Sequence, residues 1–123
     1  MSNFNILYGK SNKFRAKKTS FMGFTFDSKW EAERYGQLVQ LERIGEITGL
    51  NRQIKYDIIV NEQQICKYIA DFSYYEKDEN GQTKFVVEDA KGIETTEFRL
   101  KKKLMKAIYG IEILVTKKNK RKK

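Results

Sequence analysis

The sequence predicts an α/β (α+β) domain: a mixed central sheet flanked by helices, with a basic arm at each end. Three observations predict it. Apolar residues recur at helical spacing in two segments, each closed by a glycine. Between and after those segments lie β-branched, alternating runs that read as strands. Asn80-Gly81 joins two of these runs as a hairpin. The order is α-β-β-β-α-β, with three antiparallel strands and a crossover helix that brings the last strand into parallel pairing.

Residues 1–20, containing "KSNKFRAKKTS", have no sustained apolar period and read as an extended basic arm. "FMGFTF" (21–26) suits a short strand or hairpin turning at Gly23. Asp27 or Ser28 then caps a helix over 28–44, and Glu31, three residues after Ser28, gives the capping-box pattern. Trp30, Tyr35, Leu38, Leu41 and Ile44 form its apolar face, and Gly45 ends it. Strands follow at 47–60 and 64–78, separated by the turn "NEQ", and at 83–92 after "ENGQ". Phe98, Leu100, Leu104, Met105 and Ile108 define a second helix over 97–110. "IEILVT" (111–116) reads as a short interior strand before the tail 117–123. One domain over 21–116 between two arms is therefore expected.

Composition narrows the chemistry. The chain has 123 residues, one cysteine (Cys66) and no histidine, which excludes a disulfide framework, thiol-clustered zinc and histidine acid–base catalysis. No apolar run reaches the ~18 residues of a membrane span, and no apolar signal segment opens the chain, so a soluble, cytoplasmic protein is expected. The net charge of +9 is uneven: five basic residues and no acid in 1–26, six basic residues in 117–123, leaving about −2 between them. A near-neutral body with two basic arms suits a binder of nucleic-acid phosphates. A solubilising or anionic-surface-binding tail is the blander reading of one such arm.

"FVVEDAKGIE" (85–94) places Glu88, Asp89 and Lys91 at the end of an apolar strand. Asp89 and Lys91 leave the same face, and Glu88 the other, which makes Glu88 an outward or supporting residue. The hairpin brings Asp71 of "YIADF" close to Asp89, and Glu31 can reach the same place from the first helix. Singly, each has an ordinary explanation: a solvated turn ion pair worth ~0–1 kcal/mol, a turn aspartate, a capping acid. Together they suit metal-assisted phosphodiester hydrolysis, in which carboxylates hold Mg²⁺ and a lysine manages the attacking water.

With these residues in this order, the chain resembles a PD-(D/E)XK nuclease with a restriction-endonuclease-like core. "KFRAKKT", "FDSKWEAERY", "LERIGEI", "YIADFSY", "VVEDAKG" and "FRLKKKLMKAIYGIEI" are similar to a small phage and prophage endonuclease family. That family is allied to Holliday-junction resolvases and to phage endonuclease I. The similarity spans about residues 10–116, and Ala70 stands where the motif's proline would be. The resemblance implies that Asp71, Asp89 and the Ala90 carbonyl hold Mg²⁺ or Mn²⁺. It implies that Glu31 completes the site, with Glu33 as second choice, and that Lys91 activates water. It further implies a homodimer cutting branched or junction DNA in phage DNA recombination or processing, in a bacterial host's cytoplasm, with no nucleotide cofactor. Expected DNA contacts are Lys10, Lys13, Arg15, Lys17 and Lys18 of the first arm and Arg99, Lys101, Lys102, Lys103 and Lys106 of the second helix. Lys117, Lys118, Lys120 and Arg121 of the tail complete them. A nicking or duplex-end nuclease and a non-catalytic DNA-binding module are the alternatives.

Overall fold

The computed structural model describes residues 18–118, so Lys10, Lys13, Arg15, Lys17, Lys120 and Arg121 lie outside the described residues. The elements are β1 (Thr19–Phe21), β2 (Phe24–Phe26), α1 (Lys29–Arg43), β3 (Ile47–Val60), β4 (Gln63–Lys77), β5 (Thr83–Ala90), α2 (Thr96–Tyr109) and β6 (Leu114–Thr116). Strands β3-β4-β5-β6 form a mixed sheet in that order, antiparallel except for the parallel β5–β6 pair, while β1 and β2 form a separate hairpin.

Local chemistry accounts for most boundaries. The Ser28 hydroxyl accepts the Glu31 N–H at 3.1 Å and starts α1, and Thr95 does the same for α2 through Phe98. The Glu31 carboxylate reaches back one residue further than a capping box would, to the Asp27 N–H at 3.3 Å. Asn61 and Glu62, with φ of 50° and 67°, make a two-residue turn whose two left-handed residues match the twist of β3 and β4. The Phe21 ring lies against α1 at Gly36, where a Cβ would come within 3.2 Å of it. Glycine there lets the β1–β2 hairpin rest on the helix.

Two cores lie on opposite faces of the sheet, since neighbouring Val86 and Val87 belong to different ones. Leu38, Ile47, Phe72, Tyr74 and Val86 pack beneath α1; Ile58, Tyr68, Val87, Phe98 and Met105 pack beneath α2. Along β4 the alternation inverts. Tyr68 and Ala70 point into the α2 core, whereas Phe72 and Tyr74 point into the α1 core. A strict two-residue period would hold all four on one face. The inversion falls at Asp71, and across the ribbon, between the pairs Arg52↔Phe72 and Ile54↔Ala70, sits Gln53 with φ of 55°. The β3–β4 ribbon is creased there.

One expectation is corrected: β6 is an edge strand, not an interior one. It pairs β5 only from Glu88↔Leu114 to Ala90↔Thr116, because residues 110–113 stay outside the ladder. The basic arm is also shorter than 1–20 at its inner end, since Thr19 and Ser20 already belong to β1.

A left-handed glutamine costs on the order of 1 kcal/mol, which glycine avoids at the expense of chain entropy. Gln53→Gly is therefore expected to leave stability unchanged or raise it by up to ~1 kcal/mol, and Gln53→Val to lower it by ~1–2 kcal/mol. Urea midpoints at constant slope would show this, and a clear loss for the glycine variant would contradict the crease.

Candidate functional site

The β4–β5 ladder runs from Lys77↔Thr83 to Phe72↔Glu88 and stops. Asp71 and Asp89 are the next residue on each strand. Beyond the last pair, the Ala90 N–H is donated to Asp71 Oδ2 at 2.9 Å, so a side chain takes over from the backbone where the strands part. Asp89 is 2% exposed. Its Oδ2 accepts the Tyr68 hydroxyl, and its Oδ1 lies 3.4 Å from Lys91 Nζ. That ammonium also sits 4.4 Å from the centre of the Phe98 ring, and the Lys91 N–H is anchored on the Thr116 carbonyl at 2.9 Å. Glu31, buried at the first turn of α1, is close enough for its charge to act on Asp71 and for the Asp89 charge to act on it.

The electrostatics tie these groups together. Burial, then the charges of Asp89 and Glu31, push the Asp71 carboxyl up to about 9. Burial likewise raises Glu31, against the Asp27 N–H and the Arg52 charge, which favour its ionised form. Burial and the Asp89 carboxylate raise the Tyr68 phenol, keeping it a hydrogen-bond donor. Three acids thus act on one another with Lys91 and Arg52 as the neighbouring cations, and burial with the crowding of carboxylates is what holds Asp71 in its protonated form.

Glu88 shows the opposite condition. It is fully buried rather than outward, because its face of β5 is the one α1 covers. Arg34 of α1 grips it from Nε at 2.5 Å and Nη2 at 3.0 Å, and the Tyr74 and Thr116 hydroxyls donate to it at 2.6 and 2.8 Å. Four donors satisfy that carboxylate, which leaves it no valence for a ligand.

Glu31, Asp71, Asp89 and Lys91 therefore lie within electrostatic reach of one another. Of the expected phosphate contacts, Lys18 pairs with Asp27, Lys101 with Glu97 and Lys102 with Glu94. Lys117 pairs with Glu94, and Lys118 with Glu33, which points away from the cleft. Tyr68, Arg34 and Arg52 escaped notice because each sits at an ordinary strand or helix position. The Arg52 guanidinium packs 4.4–5.7 Å from the ring centres of Phe24, Phe26 and Tyr35, and its buried Nε has no partner. Such an arrangement has no local sequence signature.

Among the described residues, no three acidic, cysteine or histidine side chains converge tightly enough to clasp an ion as they stand. The donor chemistry nevertheless fits a hard divalent cation: the donors are carboxylate oxygens, and a cation would favour the ionised form of Asp71 that burial and its neighbours disfavour. Engagement of Asp89 would exchange its contact with Lys91 or Tyr68 for one with the metal.

The fold, a mixed four-stranded sheet with a helix on each face and an acidic cleft at one strand end, defines an α+β protein. The family profile described as "Protein of unknown function (DUF1064)" matches residues 11–122, and the chain belongs to this family. Comparison with curated proteins and with solved structures returns no match. Among the described residues no helix is long and apolar enough to cross a membrane.

Two stability predictions follow from the contrast between the carboxylates. Arg34→Met strands the Glu88 charge and is expected to cost ~3–5 kcal/mol in denaturant unfolding, much of it recovered in Arg34→Met/Glu88→Gln. Asp71 behaves oppositely. Its folded value of about 9 lies above the ordinary 3.8, so its stabilising contribution is complete below pH 3.8 and is lost as pH rises toward 9. In EDTA, Asp71→Asn should therefore melt above the wild type at pH 8 and show a weaker fall in Tm between pH 5 and 9. Parallel pH profiles would contradict the shared cleft.

Proposed function

We propose that the protein is a metal-dependent endodeoxyribonuclease with a restriction-endonuclease-like core, acting on branched DNA of the Holliday-junction type and working as a homodimer. The observation that supports this reading is the proximity of Glu31, Asp71 and Asp89, with Lys91 beside them, where the β4–β5 ladder opens. Asp71, Asp89 and the Ala90 carbonyl, with Glu31, would hold Mg²⁺ or Mn²⁺. When bound, the ion supplies Lewis acidity and neutralises charge on the phosphoryl oxygens.

The chain's own residues supply the rest. Lys91, anchored by its backbone to Thr116 and seated over Phe98, presents an ammonium that orients the attacking water and stabilises the developing phosphorane charge. Tyr68 holds the Asp89 carboxylate in one orientation by donating to Oδ2. Arg34 and Glu88 fix α1 against β5 from behind, so that Glu31 and Asp89 keep their spacing. The junction preference and the dimer are supported by the sequence resemblance and the basic arms.

A synthetic four-way junction, a nicked duplex and a linear duplex incubated with Mg²⁺ or with EDTA test this. The junction is expected to be cut in Mg²⁺ and intact in EDTA, with Asp71→Asn, Asp89→Asn and Lys91→Ala slower by ~100-fold or more. No cleavage of any substrate in Mg²⁺ or Mn²⁺ would overturn the enzyme reading. Full activity in the variants would overturn the site.

A further inference from the structure

Away from the acids, α2 carries Arg99, Lys102, Lys103 and Lys106 at i, i+3, i+4 and i+7, the spacing that puts all four along one helix face. They line an open groove of ≈ 880 Å³ with Lys84 also in its lining, Phe85, Ile113 and Leu114 as its apolar part, and Glu76, Glu94 and Glu112 as its acids, five cations to three carboxylates. The groove exists because β6 is so short. Residues Thr83–Val87 of β5 have β4 on one side and no strand on the other. Glu94, three residues past Lys91 in the chain, lines the groove and lies within 3.9 Å of Lys102 and 3.4 Å of Lys117.

The stripe works against the fold that carries it. Arg99 faces Lys102 and Lys103, and Lys106 faces the same two, so each cation has like-charged neighbours one turn away, which destabilises a helix. Lys102 and Lys106 are relieved by Glu94 and Glu112, and Lys84 stands across the β4–β5 ladder from Glu76, but among the described residues Arg99 and Lys103 form no salt bridge. A merely solvated face would interleave acids at these spacings. The one acid within α2 is Glu97, and it serves Lys101.

We propose that this groove is the track for the sugar–phosphate backbone of a nucleic-acid strand that continues beyond the point of cleavage. From Arg99 to Lys106 the stripe covers ~10 Å of helix, the axial reach of about three nucleotides. Its cations meet phosphates in succession, while the exposed faces of Phe85 and Leu114 meet the sugars. The proposal deepens the nuclease reading, on which it rests only for the choice of nucleic acid; backbone binding here needs neither metal nor catalysis.

The test is fluorescence anisotropy of a linear DNA duplex in EDTA at several salt concentrations, with melting of the free protein measured alongside. Wild type is compared with Arg99→Gln/Lys103→Gln and with Lys55→Gln/Lys67→Gln, a charge-matched control on exposed positions of β3 and β4. The groove variant is expected to reduce the slope of log affinity against log salt by about 2 and to raise Tm, since like-charge repulsion is removed. The control is expected to shift the slope by less than half as much. An unchanged slope, an equal change in the control or a lowered Tm overturns the proposal. Equal or tighter binding to polyglutamate or to phosphatidylglycerol vesicles, lost in the same groove variant, overturns it in favour of another anionic partner. None of these outcomes bears on whether junctions are cut, which is read in Mg²⁺.

Discussion

Two neighbouring carboxylates on one strand, Glu88 and Asp89, are buried back to back and held in opposite ways, and the remainder of the structure is arranged around that difference. Glu88 receives four donors, two from a single guanidinium, and locks α1 onto the sheet. Asp89 receives a phenol and a lysine, then shares its surroundings with two further acids. A fold optimised only for stability would not bury Glu31 and Asp89 near Glu88, with a half-buried Asp71 among them, given what each desolvated charge costs. Stability is conceded at this strand end.

The crease in the β3–β4 ribbon makes the concession geometrically possible. A strand of unbroken alternation would carry Tyr68, Ala70, Phe72 and Tyr74 on one face; inversion at Asp71, opposite Gln53, serves both cores and parts the strands at the acids. The Thr116 carbonyl then draws three elements to this point. It accepts the Trp30 indole N–H from α1 at 3.0 Å and the Lys91 N–H from the end of β5, although β6 contributes only three residues. The aromatic box around Arg52 lays the β1–β2 hairpin beside Glu31, adding a cation near the acids without adding a salt bridge.

Periodicity, caps and turn residues made the element order legible, because those signals are local. Ser28, Gly110 and Asn80-Gly81 act within a few residues of themselves, and the helices and the hairpin fall where they indicate. Alternation also told Asp89 from Glu88, and so assigned Lys91 to Asp89. It misled on what lies behind Glu88, since a polar residue on the second face of a strand reads as outward unless its partner is known. That partner, Arg34, is 54 residues away in sequence. Tyr68, Arg52 and the edge position of β6 depend in the same way on contacts across the sheet, which no short window contains. The crease was hidden for a different reason: one left-handed glutamine carries no propensity signal.

The central claim is the proposal that Glu31, Asp71 and Asp89 are a site for a divalent cation. Calorimetric titration with Mn²⁺ at pH 8, on DNA-free protein, measures it without recourse to substrate or product. Wild type is expected to bind with a definite stoichiometry and a rise in Tm, while Asp71→Asn and Asp89→Asn lose that binding and Glu88→Gln, if folded, keeps it. Absence of binding in the wild type, or equal binding in all four proteins, would contradict the account.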